Sequence, residues 1–331
     1  MLSYAVIGTG WITQSFIDGA NLDGRMVLAG VCSRSEETGR AFAEKNGCHT
    51  VFTSVEDLAN SSIPAVYIAS PNAFHARQAE ILLKAGKHVL CEKPITVTPS
   101  ELDYLQTLAG EQGVIYAEAI MYMFHPVRQL LKKAISEIGV ITSAHLDFSQ
   151  LSSKYAAYKA GNLPNIFNPK MATGCLEDLG VYCVYPALDL FGKPDAVKAT
   201  ASFMQSGADG SGGAFLEYPD KTVTLTYSKL GQDYVGSQIF GDLGTVILGS
   251  VSKLTEVKIR WHGGEETVLS GDIEKAELMG NEATGWRKLI EAPAENAAFY
   301  EELKKAALET SLAMAEIREK AGIRFPYEAI R

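Results

Sequence analysis

Short apolar runs recur through the first 120 residues, and each is followed by a stretch with helical spacing. The runs Tyr4–Ile7, Met26–Cys32, Ala65–Ala69, His88–Cys91 and Val114–Ala117 read as strands. Unbroken apolar strands alternating with amphipathic helices predict βαβ units and a parallel sheet buried on both faces. The clearest helix runs from about Phe74 to Ala85, with Gly86 placed as a left-handed stop.

The pattern changes after Ile120. From about Ile138 to Gln150, and from Ala196 to Leu269, apolar and polar positions alternate and are broken by Gly, Asp and Pro. This predicts a mostly antiparallel sheet with hairpins, one of them turning at Pro219–Asp220. Between these stretches lie a loop rich in Asn and Pro around Gly161–Pro169 and a helix from about Thr173 to Phe191. A further helical pattern runs from Ala292 to Ala321. The expected fold is α/β: an N-terminal Rossmann-type domain over residues 1–121, then an α+β domain over residues 122–331 with a large, mostly antiparallel sheet.

Length and composition agree with two globular domains: 331 residues, of which 47% are hydrophobic and 21% charged. The net charge of −9, with no Lys/Arg block, argues against nucleic acid as a partner. No apolar stretch approaches the roughly 18 residues of a membrane span, and no leader pattern opens the chain, so a soluble, cytoplasmic protein is expected. The five cysteines form no CxxC pair and sit among apolar neighbours, as buried free thiols do; no metal site is expected.

The candidate chemistry begins at the first strand–helix junction. Gly8, Thr9 and Gly10 separate a strand from a helix that opens with Trp11 and Ile12. Glycines let a backbone approach a pyrophosphate, and the helix N-terminus supplies N–H groups and the positive end of a dipole. Thr13 stands where the fingerprint's third glycine would fall. At the end of the second strand, where a carboxylate would accept from an NAD ribose, the chain has Ser33 and Arg34. A hydroxyl and a guanidinium suit a 2′-phosphate, which favours NADP. NAD, with Glu36 or Glu37 reaching the ribose, is the alternative.

Ser70–Pro71–Asn72 and Glu92–Lys93–Pro94 follow later strands at their carboxyl ends, where open α/β sheets bind ligands. With His75, which by position is a first-turn helix residue, they complete the candidate cofactor set. Lys93 is also a candidate for stabilising a developing alkoxide. Asp178 and Tyr182 are four residues apart, so they share a helix face, with Gly180 leaving room beside them. A phenol titrates near ~10 when unperturbed, and a neighbouring ammonium would favour the phenolate needed for proton exchange with a substrate hydroxyl. The plainer reading makes Asp178 a first-turn helix residue and Tyr182 a core residue.

The segments VIGTGWIT, SPNAFH, CEKP and GCLEDLGVY together resemble the glucose-fructose oxidoreductase, inositol dehydrogenase and MocA family (Gfo/Idh/MocA), and the resemblance spans nearly the whole chain. It implies a Rossmann domain followed by a domain whose helix brings acid/base residues to a nicotinamide, with Lys93, Asp178 and Tyr182 as the catalytic set. Tyr at the last place resembles the dihydrodiol and NADP-dependent sugar dehydrogenase branch. In the stretch AEAIMYMFHPVRQ, Met123 stands where the family often carries a basic residue, so no contact is assigned there.

The expected activity is hydride transfer between a nicotinamide and a sugar, polyol, diol or related carbonyl. Asp178 either orients the lysine or hydrogen-bonds the substrate. Reduction of an imine or tetrapyrrole on the same cofactor is the nearer rival, and a non-catalytic cofactor-binding sensor the more distant one. An uncovered face of the second sheet suggests a homodimer or a dimer of dimers.

Overall fold

The structure, a computed structural model, describes residues 1–330; Arg331 lies outside them. In chain order the first elements are β1 (Leu2–Ile7), α1 (Trp11–Asp23), β2 (Met26–Cys32), α2 (Glu36–Lys45), β3 (Val51–Phe52), α3 (Val55–Ala59), β4 (Ala65–Ile68) and α4 (His75–Lys84). Then come β5 (His88–Glu92), α5 (Pro99–Gln112), β6 (Tyr116–Ala119), α6 (Met121–Phe124), α7 (Val127–Glu137), β7 (Ile141–Ser149), α8 (Tyr155–Lys159) and α9 (Val181–Phe191). Seven strands follow: β8 (Ala196–Phe203), β9 (Asp209–Glu217), β10 (Thr222–Ser228), β11 (Ser237–Gly241), β12 (Gly244–Leu248), β13 (Lys258–Trp261) and β14 (Glu266–Val268). Two helices, α10 (Lys275–Glu291) and α11 (Ala297–Ala321), close the chain.

Strands β1 to β6 form one parallel sheet in the order β3-β2-β1-β4-β5-β6. This is the doubly wound dinucleotide-binding order, with the strand sequence reversing between β1 and β4. The apolar runs are explained by burial: every residue of β4, including Tyr67, is buried, as are the last four of β5. Gly86 adopts φ +71° just past α4, and its N–H bonds to the Leu83 carbonyl, so it is the stop read from the sequence.

The remaining strands form an eight-stranded sheet, β14-β13-β12-β11-β7-β10-β9-β8, antiparallel except where β10 runs parallel to β7. The turn at Pro219–Asp220 is present: Tyr218 N–H bonds to the Lys221 carbonyl, and Thr222 faces Glu217 across the hairpin.

The boundary between compact units departs from the expected one. The first unit comprises Met1–Met121 and also Glu274–Leu308 and residues 328–330, while the second comprises Tyr122–Ile273 and Glu309–Tyr327. The cause lies in α10, which packs along α1. A Cβ on Gly19 would lie 2.5 Å from the Gly280 nitrogen, so the two helix backbones touch where neither has a side chain. Around that contact Trp286, fully buried, meets Phe16 edge-on at 6.3 Å, and Phe16 in turn stacks on Tyr67 at 3.9 Å. Arg287 closes it with an ion pair to Asp23 at 2.5 Å. The helix expected from Thr173 to Phe191 is also divided: Leu176–Gly180 forms a π-helical turn that runs directly into α9.

Candidate active site

In the first unit, β1 ends at Gly8 (φ +105°), where a Cβ would lie 2.7 Å from the Ala69 carbonyl oxygen, so only glycine fits. Gly10 differs. A Cβ there would meet nothing within 4 Å, and as N-cap of α1 Gly10 offers no side-chain cap. Open space over an uncapped helix N-terminus, flanked by Thr9, Trp11 and Ile12, is what a pyrophosphate needs, so the residues fit a bound dinucleotide. Thr13 is buried and its Oγ1 would stand 3.6 Å from a Cβ on Gly8, so the helix approaches the turn closely even without a third glycine.

Ser33 is half-buried and Arg34 exposed at the carboxyl end of β2. Glu36, one of the carboxylates offered for an NAD ribose, is bonded to Arg40 at 2.5 Å and 3.0 Å within α2.

The loops after β4 and β5 are pinned together by His75. Its ring is fully buried, with Nδ1 2.9 Å from the Pro94 carbonyl oxygen and Nε2 2.8 Å from that of Ser70. Burial lowers its pKa, so the neutral ring donates to one carbonyl at a time. His75 therefore fixes Ser70–Pro71–Asn72 and the EKP loop relative to each other. Glu92 also points inward: it is buried, accepts from Tyr67 Oη at 2.5 Å and from the Lys93 N–H at 3.3 Å, and burial raises its pKa. Lys93 is half-buried, and a cis peptide joins it to Pro94.

Two further buried carboxyls lie near Glu92. Glu118 accepts from the Ile95 N–H at 2.9 Å, and Glu282 comes from α10 with neither oxygen hydrogen-bonded among the described residues. Burial first, then the Glu92 charge, raises the Glu282 pKa well above the usual carboxyl range, against the opposing pull of Lys275. Lys275 Nζ lies 3.1 Å from Met121 Sδ and 5.9 Å from the ring centre of Trp11.

In the second unit, the π turn and α9 carry the remaining candidates. Across residues 172–188 every position is buried except Asp178 and Tyr182, which keep partial exposure. The four-residue spacing thus does put both side chains on the one open edge of an otherwise buried element. Gly180 is required for packing: a Cβ would lie 3.0 Å from Cδ1 of Tyr227, whose ring fills the space beside it. Tyr182 meets Phe148 of β7 edge-to-face at 5.5 Å.

Three polar residues absent from the sequence reading support this edge. Lys229, at the end of β10, is buried and places Nζ 2.5 Å from Asp178 Oδ2. Asp209 of β9 accepts from the Leu176 N–H at 2.7 Å and so caps the π turn; a Cβ on Gly174 would collide with its carboxylate. Arg318 pairs with the buried Glu177. A strand-end lysine carries no sequence signal of burial, since the same residue ends exposed strands. All five cysteines are free and buried.

Comparison with known proteins agrees with both units. Residues 2–120 match the family described as "Oxidoreductase family, NAD-binding Rossmann fold", and residues 125–247 the "GFO/IDH/MocA C-terminal domain". The chain is 37% identical over 98% of its length to scyllo-inositol 2-dehydrogenase (NADP(+)) IolU of Bacillus subtilis (strain 168), covering 99% of that protein. It is 34% identical end to end to the uncharacterized oxidoreductase YgjR of Escherichia coli (strain K12), with 100% of each chain covered. Among solved structures, levoglucosan dehydrogenase in complex with NADH shares the fold at a TM-score of 0.83 and 19% identity, over 99% of this chain and 100% of that one.

Proposed function

Because the chain belongs to the Gfo/Idh/MocA oxidoreductase family, we propose that it is an NADP-dependent dehydrogenase that moves a hydride reversibly between a nicotinamide and a carbinol carbon of a sugar, polyol or diol. The observation that carries the reading is the pairing of Asp178 and Tyr182 as the two partly open positions of a buried π turn and helix. A core role for Tyr182 would have buried it.

NADP, when bound, supplies the hydride acceptor or donor. The chain's own residues do the rest. Gly8, Gly10 and the first turn of α1 receive the pyrophosphate, and Ser33 and Arg34 meet the 2′-phosphate with charge-assisted bonds. The His75 pin holds the Ser70–Asn72 and EKP loops at the carboxyl ends of β4 and β5. Lys93 stabilises negative charge on the reacting oxygen. Tyr182 takes the hydroxyl proton in the oxidative direction and returns it in reduction, while Asp178 accepts a hydrogen bond from the substrate.

The NADP preference is supported by Arg34 at the ribose position and by the engagement of Glu36 with Arg40. A polyol is supported by the similarity to a scyllo-inositol dehydrogenase across almost the full length of both chains. We also propose a cytoplasmic homodimer that covers the face of the large sheet away from α9. That face carries Phe215 at 54% exposure among threonines and serines. No helix among the described residues is long and apolar enough to cross a membrane.

The test is a fluorescence titration with NADPH and, separately, NADH, followed by NADP+ reduction assays against scyllo-inositol, other cyclic polyols, aldoses and vicinal diols. Tighter NADPH binding and turnover of at least one polyol or sugar are expected. Binding of neither nucleotide overturns the reading.

A further inference from the structure

Burying an ammonium is costly unless it is paired, and an apolar side chain of the same size would usually be the more stable occupant. Lys229 is nonetheless buried, with 1% of its side chain exposed. Its surroundings say what it holds. Nζ is 2.5 Å from Asp178 Oδ2 and 5.6 Å from the centre of the Phe167 ring, and its charge also acts on the Asp209 carboxyl that caps the π turn. Its backbone is fixed on both sides: the N–H donates to Gly210 at 2.9 Å, and the carbonyl accepts from the Ser152 N–H at 2.9 Å. The segment 150–167 therefore reaches Lys229 twice, through the backbone of Ser152 at one end and the ring of Phe167 at the other.

We propose that Lys229 is the positioning residue for Asp178, fixing its carboxylate at the open edge of the π turn and binding it to the segment 150–167 as one mechanical unit. With Nζ 2.5 Å from Oδ2, the ammonium holds the Asp178 carboxylate by charge. Segment 150–167 then sets substrate fit through the same lysine that orients the acceptor. The functional half of this inference rests on the reading of Asp178 as a substrate-contacting residue, while the positional half does not.

Crystal structures of the wild type and Lys229→Met, grown at one pH, test the positional half whether or not a substrate has been found. The Asp178 carboxylate is expected to leave its wild-type place and Phe167 to repack; an unmoved carboxylate overturns the proposal. Scyllo-inositol oxidation by NADP+ is then measured for wild type, Lys229→Met, Asp178→Asn and the double variant. Lys229→Met should lower kcat roughly tenfold, with the KM for NADP+ unchanged, and should have no further effect in the Asp178→Asn background, as coupled neighbours behave. Equal losses in both backgrounds reduce Lys229 to a structural role and overturn the inference. If Lys229→Met does not fold, Lys229→Arg, which keeps the charge but alters its reach, goes through both the crystallographic and the kinetic comparison with the same expectations. Wild-type turnover in Asp178→Asn would instead defeat the assignment of Asp178, leaving placement by Lys229 to the crystallographic comparison.

Discussion

Gly19 of α1 and Gly280 of α10 meet backbone to backbone, with no room for a side chain on Gly19: a Cβ there would lie 2.5 Å from the Gly280 nitrogen and 2.6 Å from the Met279 carbonyl carbon. This contact seats the fully buried Trp286 against Phe16 and binds a helix from late in the chain to the nucleotide-binding unit. Backbone cannot yield as a flexible side chain can. Gly19→Ala should therefore separate the helices and destabilise the protein by about 1–3 kcal/mol, the usual range for overpacking, despite alanine's better helix propensity. Thermal denaturation checks the sign; a stabilised variant would show that the helices do not touch there.

Glu282 makes stability depend on pH in a set direction. Its folded pKa is raised well above the ordinary value of 4.5, chiefly by burial and then by the Glu92 charge. The folded protein therefore holds a proton that the unfolded chain releases above about pH 4.5. The stabilising contribution is complete below that pH and falls as pH rises, by up to about 1.4 kcal/mol per unit until the folded pKa is passed. Glu282→Gln removes this slope. Its melting temperature should gain on the wild type as pH rises above about 5, until the folded pKa of Glu282 is passed, and parallel curves would mean that Glu282 ionises freely.

Arg34 is the residue on which cofactor choice turns. Arg34→Ala should weaken NADPH binding by about tenfold to a hundredfold, the worth of a charge-assisted bond, while leaving NADH affinity within about twofold. Fluorescence titration of both nucleotides separates the outcomes, and equal weakening of the two would assign Arg34 to some other part of the cofactor.

The sequence was most legible where local pattern and tertiary demand coincide. Strands buried on both faces must be apolar throughout, so AVYI and HVLC announced β4 and β5. The glycine turn, the stop at Gly86 and the Pro219–Asp220 hairpin were legible because each is a local backbone requirement. Helix α10 was not, since Gly280 lowers its helical signal and finds its reason only in Gly19, far away in the chain. The two carbonyl partners of His75 were not legible, since they come from separate loops that only folding brings together. Lys229 was missed for a similar reason: an ammonium at a strand end looks solvated until Asp178 and Phe167 are placed around it.

The most direct test of the proposed chemistry is the steady-state rate of Tyr182→Phe with NADP+ and the best polyol substrate, measured beside its NADPH affinity. Loss of the phenolic hydroxyl should lower kcat by about 10²- to 10⁴-fold, as removal of a general acid/base does, with NADPH binding and melting temperature close to wild type. An unchanged kcat would contradict the account, because proton exchange would then run through another group and the open edge that Tyr182 shares with Asp178 would have no part in the reaction.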